Sequence, residues 1–93
     1  SGKYIDAFIK KNKGNDNFLG IAISVKIAKA VRRNYIKRLI RENYQKLENY
    51  IKPGNTIVFL CKKNVVLEEI NYDSIKKDIK FILKKSEILE EIR

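Results

Sequence analysis

Hydrophobic and polar residues alternate along three short stretches of the chain, which is the spacing of β-strands. The alternation is imperfect over residues 4–9 and clear over residues 18–25, and residues 56–62 are rich in Ile, Val and Phe between polar neighbours. A polar segment with turn-forming residues joins the first two stretches, and it contains Gly14, Asn15, Asp16 and Asn17. We therefore predict three strands, of which the first two pair as a hairpin.

Two further stretches place hydrophobic residues three or four positions apart, which is the spacing of an α-helix. The first covers residues 29–51 and ends before Pro53 and Gly54, as helix-stop signals require. The second begins near Asp73, which we take as its N-cap. The element order β-β-α-β-α predicts one α+β domain over residues 1–93, in which the helices pack on a sheet.

A large excess of basic residues indicates what kind of partner the chain binds. The 93 residues include 21 Lys or Arg against 11 Asp or Glu, which gives a formal net charge of +10. Such an excess on a small domain favours a polyanionic partner, nucleic acid above all. No stretch of about 20 apolar residues is present, so we expect no membrane contact.

The residue types that carry most acid–base and metal chemistry are scarce. There is no histidine, which removes the commonest general base near neutral pH and the commonest metal ligand. Classical zinc sites and nucleophile systems of the Ser-His-Asp or Cys-His type are thereby excluded. The single Cys61 lies in an apolar run, so we predict a buried thiol in a reducing cytoplasm. We predict no catalytic residue and no metal site in the protein itself.

The first predicted helix carries an unusual concentration of positive charge. Residues 26–46 hold eight basic residues and one acid, Glu42. At about 100° per residue, side chains four positions apart lie on the same side of a helix. Three cations with this spacing form a basic ridge, which consists of Arg33, Lys37 and Arg41. Asn34 and Arg38 lie beside the ridge. Like charges at this spacing destabilise an isolated helix by about 0.2–0.5 kcal/mol per pair, so the ridge makes sense if phosphates neutralise it. Asn34 fits either a specific hydrogen bond to RNA or a helix cap.

The segment Ala30-Val-Arg-Arg-Asn-Tyr-Ile-Lys-Arg-Leu-Ile-Arg-Glu42 closely resembles the RNR signature of bacterial ribonuclease P proteins. The preceding residues 20–29 and the later residues 54–60 resemble the strands that flank this signature, so the resemblance covers nearly the whole chain. Three positions depart from the family pattern. Tyr35 replaces the second Arg of the signature, Ala28 replaces a Gly, and Val25 replaces a Lys.

The resemblance implies an α-β sandwich similar to a domain of a ribosomal protein. Its sheet would be mixed and would contain a left-handed βαβ crossover through the first helix, against the general right-handed rule. Members of the family normally have a helix before the first strand, and we expect this chain to lack it. In the family that helix and the sheet enclose the single-stranded 5′ leader of the substrate.

The resemblance also implies the function of a ribonuclease P protein subunit in the cytoplasm. Its partners would be the ribonuclease P RNA and precursor tRNA, and catalysis with its Mg²⁺ ions would reside in the RNA. The residues assigned to RNA contact are Lys26, Lys29, Arg32, Arg33, Asn34, Lys37, Arg38 and Arg41. Tyr4 and Phe8 are candidate leader contacts or core residues, whereas we predict that Phe18, Tyr44, Tyr50 and Phe81 are core.

Other functions fit parts of the same pattern. A ribosomal or assembly-type RNA-binding protein needs the same charge and fold class, and only the signature argues against it. An autonomous nuclease is disfavoured because histidine and a carboxylate cluster are missing, and a helix-turn-helix protein because strands flank the basic helix. The acidic residues of the C-terminal third lead us to predict that this third is a poor RNA surface. The sequence leaves the oligomeric state open.

Overall fold

The computed structural model describes residues 3–26, 28–63 and 65–89. Three strands and two helices follow one another in the predicted order: β1 (Ile5–Lys11), β2 (Phe18–Ala22), α1 (Ala30–Leu47), β3 (Asn55–Cys61) and α2 (Tyr72–Lys85). Single 3-10 turns follow α1 at Glu48–Tyr50 and precede α2 at Leu67–Glu69. The periodicities of the sequence therefore identified each main element, with ends that differ by a few residues.

The last strand in the sequence occupies the centre of the sheet. The strand order is β1-β3-β2, with β3 antiparallel to β1 and parallel to β2. The predicted hairpin is wrong, because β1 and β2 do not pair. The polar segment between them carries the chain across the beginning of β3, where the Asn12 amide donates to the Gly54 carbonyl at 2.8 Å and the Asn55 amide donates to Asn17 Oδ1 at 2.9 Å.

The mixed sheet confirms the predicted fold class. Because β2 and β3 are parallel neighbours, α1 must connect them as a crossover helix. The left-handed sense of that crossover stays a prediction. Both helices contribute to one core against the sheet, and its fully buried members are Phe59, Ile5, Ile57, Ile36, Ile40, Ile75, Ile79 and Leu83.

A capping box, rather than Asp73, begins α2. Asn71 Oδ1 accepts the Ser74 amide at 3.0 Å, and Ser74 Oγ accepts the Asn71 amide at 2.8 Å. This reciprocal pair satisfies two amides at the helix end. Asp73 is therefore inside the first turn and exposed, and its predicted role as the cap is wrong.

A turn at Gly54 sets the approach to β3. Gly54 has φ of 83°, a left-handed conformation that favours glycine. A Cβ at this position would lie 2.9 Å from the carbonyl oxygen of Gly14. The helix-stop signal was therefore correctly placed near Gly54, although α1 itself ends at Leu47 and a 3-10 turn follows.

A buried carboxylate on α2 holds the start of β1. Asp78 Oδ1 accepts the Lys3 amide at 3.0 Å, and Asp78 Oδ2 accepts the amides of Tyr4 at 2.6 Å and Ile5 at 3.1 Å. Because three amides converge on one buried anion, the first residues of the sheet are fixed to the helical layer. The sequence pattern gave no sign of this contact.

Candidate nucleic-acid interface

The structure places the basic ridge along one flank of α1. The apolar side of the helix is buried as predicted, with Ile36, Leu39 and Ile40 in the core. Arg33 and Lys37 are half-buried, whereas Arg41 is exposed. Asn34 and Arg38 are exposed beside the ridge. The arrangement matches the predicted one, so all five polar side chains are carried by one rigid helix.

Among the residues that the structure describes, one weak ion pair offsets this charge. Arg38 Nε lies 3.6 Å from Glu42 Oε1, and both side chains are largely exposed. Such i, i+4 pairs contribute about 0.3–0.5 kcal/mol. In the described ranges, Arg33, Lys37 and Arg41 make no ion pair at all. Their charge is therefore free to bind an anion.

The beginning of α1 adds a second source of positive potential. Its N-cap is Lys29, whose side chain makes no capping hydrogen bond, and the first turn contains no acidic residue. The first amides of the helix consequently have no side-chain acceptor and carry the positive end of the helix dipole. Lys26 and Lys29 are exposed nearby, and Arg32 is half-buried within the first turn. Helix ends of this kind bind phosphate readily.

Arg33 is positioned by the backbone before the helix. Its Nη1 donates to the Ala28 carbonyl at 2.9 Å, which uses one of its five donors and leaves the others available. Asn34 lies in the second turn and makes no side-chain hydrogen bond within the described parts of the chain. The capping alternative for Asn34 is therefore wrong, and its contact to RNA stays a prediction.

A narrow groove separates the far end of the ridge from the beginning of β2. Its walls are Asn17, Leu19, Arg41, Tyr44, Gln45 and Glu48. Burial, and then the nearby Glu48 carboxylate, raise the pKa of Tyr44, so its phenol stays neutral at physiological pH. Arg41, the last residue of the ridge, therefore lies beside the β2 edge of the sheet.

The sheet face opposite the helices forms a second candidate surface. The register places Phe8, Val58 and Gly20 in one row across the three strands. A Cβ on Gly20 would lie 3.3 Å from Val58 Cγ2, so the Val58 side chain packs closely over the glycine. Phe8 is 70% exposed and Phe18 is 56% exposed on this face. We call this surface the open face. Its residues are Asp6, Phe8, Lys10, Phe18, Gly20, Ala22, Thr56, Val58 and Leu60.

The structure distinguishes the two alternatives for Tyr4 and places Phe18 elsewhere than predicted. Tyr4 is only 8% exposed and belongs to the core, because Asp78 binds its amide and turns the chain just before β1. Its hydroxyl donates to Glu69 Oε1 at 3.5 Å. The burial of Tyr4 therefore fits its core alternative, whereas Phe8 has the exposure that a leader contact requires. Phe18, predicted to be core, points to the open face because it shares the parity of Gly20 on the edge strand β2.

Other candidate groups divide between the core and the surface. Cys61 is buried as predicted, and burial raises the pKa of its thiol. Tyr44 is in the core as predicted, but Tyr50 and Phe81 are exposed, so the core prediction is wrong for these two.

Across the residues that the structure describes, no three His, Cys, Asp or Glu side chains form a group that could hold a metal ion. No helix in the same ranges has the length and apolar character needed to cross a membrane.

Comparison with known proteins agrees with this arrangement. The family model described as Ribonuclease P matches residues 1–87. The chain belongs to the ribonuclease P protein family. A ribonuclease P protein component of Clostridioides difficile strain 630 is 38% identical over 81 residues, which cover 86% of this chain and 69% of that protein. One from Listeria monocytogenes serovar 1/2a is 34% identical over 74 residues, which cover 78% of this chain and 60% of that protein.

Solved structures of the family share the fold. The Staphylococcus aureus RNase P protein superposes with a TM-score of 0.83 at 25% identity, covering 97% of this chain and 81% of that one. The Thermotoga maritima RNase P protein gives a TM-score of 0.82 at 28% identity, covering 91% and 79%. The resemblance noted in the sequence is thereby confirmed. The chain spans roughly three fifths to two thirds of the length of its sequence relatives.

Proposed function

We propose that this chain acts as the protein subunit of ribonuclease P, in the cytoplasm. It binds the catalytic RNA subunit through α1 and helps that RNA to bind precursor tRNA for removal of the 5′ leader. The observation that carries the proposal is the uncapped, acid-free beginning of α1 next to a ridge of unpaired cations. The names of its relatives, ribonuclease P protein components, support the same assignment over the ribosomal alternative.

The α1 ridge and the open face suit different parts of the bound RNA molecules. The ridge and the α1 amides offer charge and fixed donors, which bind phosphates without reading sequence. The open face offers the exposed rings of Phe8 and Phe18, which suit unpaired bases of the leader. Lys10 lies in the same row as Phe18 and adds a cation for the leader backbone. Catalysis and its Mg²⁺ ions belong to the RNA in this proposal.

Reconstitution with a bacterial ribonuclease P RNA tests the division of labour. We expect the protein alone to leave precursor tRNA intact, and the RNA with protein to cleave faster than RNA alone at low Mg²⁺, because protein cations replace part of the screening that Mg²⁺ provides. The measurement is the initial cleavage rate across a Mg²⁺ titration. Robust cleavage by RNA-free protein would contradict the proposal, and so would tight binding to ribosomal RNA without any effect on the ribonuclease P RNA.

The open face predicts a specific role for Phe8. Phe8→Ala in the reconstituted holoenzyme should weaken precursor tRNA binding by about tenfold, since a stacked base contributes on the order of 1–3 kcal/mol. Binding of mature tRNA, which has no leader, should not change. Val66→Ala is the control, because Val66 is also largely exposed but lies in the loop before α2. Equal losses for precursor and mature tRNA would remove Phe8 from the leader site.

A further inference from the structure

The outer face of α2 carries a second concentration of cations that α1 and the open face leave unexplained. Two i, i+4 rows run along the exposed side of the helix: Lys76, Lys80 and Lys84 in one, and Lys77, Phe81 and Lys85 in the other. Four of the five lysines are exposed and Lys80 is partly exposed. Phe81, between two lysines, is 51% exposed, and Lys85 Nζ lies 5.6 Å from its ring centroid. The acidic residues on which the prediction of a poor RNA surface was based, such as Glu68 and Glu87, lie outside α2, and that prediction stays untested.

Nothing on the helix neutralises these lysines. Within the described residues none of the five forms an ion pair. The two acids of α2 are Asp73, at the first turn, and Asp78, which is buried on the amides of β1. Lys84 and Lys85 gain from the helix dipole because they lie in the last turn. Asp73 lies one turn before Lys76 and Lys77 but, among the described residues, forms no ion pair with them, and Lys80 has lysines at both i−4 and i+4, where like charges cost helix stability.

The α2 helix and the far end of the α1 ridge lie near opposite edges of the sheet. Arg41 borders a groove with Leu19 of β2, at one edge of the sheet. Asp78 joins α2 to the beginning of β1, at the opposite edge. An RNA contact on α2 is therefore separate from the contact on the ridge.

We propose that the outer face of α2 is a second RNA-binding surface, which holds a single-stranded segment of the ribonuclease P RNA. Successive lysines in the row Lys76, Lys80 and Lys84 lie about 6 Å apart along the helix axis, so this row can follow consecutive phosphates of an extended strand. Phe81 offers its exposed ring to an unpaired base. The identity of the bound RNA rests on the proposed function. The inference that α2 binds a single-stranded segment rests on the residues of α2 alone.

An anionic membrane fits the same charge less well. A helix that lies on a membrane needs a broad apolar face turned to the lipid. The apolar face of α2 is already in the core, where Ile75, Ile79 and Leu83 are fully buried. Phe81 is the single large apolar side chain on its outer face. RNA is therefore the partner that the surface favours.

Matched charge losses provide the test. The α2 variant is Lys76→Gln/Lys77→Gln/Lys80→Gln, and the control is Lys11→Gln/Lys13→Gln/Lys52→Gln, which removes equal charge from exposed lysines elsewhere. Binding to a bacterial ribonuclease P RNA transcript is measured across a salt titration. We expect the α2 variant to lower the log–log salt slope by about 2 and the affinity by roughly tenfold at physiological salt, with a clearly smaller loss for the control. Equal losses in both variants would overturn the proposal, because net charge alone would explain them.

A second probe separates this proposal from the proposed function. Phe81→Leu, which keeps an apolar side chain but removes the ring, should weaken binding of an unstructured oligouridylate several-fold. A photo-crosslinking amino acid at position 81 should mark RNA nucleotides other than those marked from position 37. If the wild-type protein bound the oligouridylate through α2 but did not bind the ribonuclease P RNA transcript, only the proposed function would be contradicted. Loss of binding to phosphatidylglycerol vesicles, with RNA binding unchanged in all α2 variants, would overturn the α2 proposal itself.

Discussion

Replacing Arg33, Lys37 and Arg41 together by alanine should lower the log–log salt slope for binding the ribonuclease P RNA by about 2–3. Each lost phosphate contact removes roughly 0.7–0.9 from that slope, because fewer counterions are released on binding. The affinity at low salt should fall on the order of a hundredfold, and each single replacement should account for part of the loss. Fluorescence or filter binding at five or more salt concentrations measures both quantities.

The fold should survive this change, which separates an RNA defect from misfolding. The three side chains lie outside the apolar side of α1, so the free energy of unfolding should change by less than about 1 kcal/mol. Arg33→Lys is an informative companion: it keeps the charge but loses the forked donors that reach both the Ala28 carbonyl and a phosphate. If the triple variant bound with an unaltered slope, the ridge would not be the RNA contact.

Asp78→Ala should produce the largest loss of stability among single replacements. Three amides would lose a charged acceptor at a buried site, and each unsatisfied group costs about 1–3 kcal/mol, less where water enters. We expect the free energy of unfolding to fall by about 3–5 kcal/mol. A domain of this size has about 5–15 kcal/mol in total, so the variant should be close to unfolding at 37 °C. Urea denaturation followed by circular dichroism measures the change.

Two replacements on the same helix calibrate that result. Asp78→Asn keeps the volume and one acceptor oxygen, but it sets an NH₂ group against a backbone amide, so an intermediate loss is expected. Asp73→Ala removes an exposed acid from the first turn and should cost less than about 1 kcal/mol. Equal stability of Asp78→Ala and Asp73→Ala would show that water replaces the carboxylate without cost.

The sequence predicted the elements well and the strand neighbours badly. Periodicity reports which side of an element is apolar, and that property held for α1, α2 and β3. It does not report which strand lies beside which, since the alternating faces of β1 and β2 suit a hairpin as well as two edges around β3. The turn residues between β1 and β2 bind Gly54 and Asn55 instead of closing a hairpin, and that long-range contact has no local signal.

In the candidate site, too, local spacing was predictable from the sequence and long-range contacts were not. The basic ridge was predictable because one helix carries all of it, at a fixed spacing. Tyr4 and Phe8 have the same parity, and only the contact with Asp78 shows that Tyr4 lies before the strand and inside the core. The α2 lysines were missed because the charge was judged over the whole C-terminal third. That third includes acids from the segments on either side of α2, such as Glu68 and Glu87, whereas the outer side of the helix itself is basic.

The central position of β3 has a consequence for how the protein matures during synthesis. The first two strands leave the ribosome early, but the strand that pairs with both of them in the folded protein is complete only when residues 55–61 emerge. Both sets of strand contacts then form across long sequence separations, a topology with high contact order that slows folding. The basic helix needs no such delay, because its hydrogen bonds are local. The hydrogen bonds of α1 can therefore form in a nascent chain before the open face is assembled.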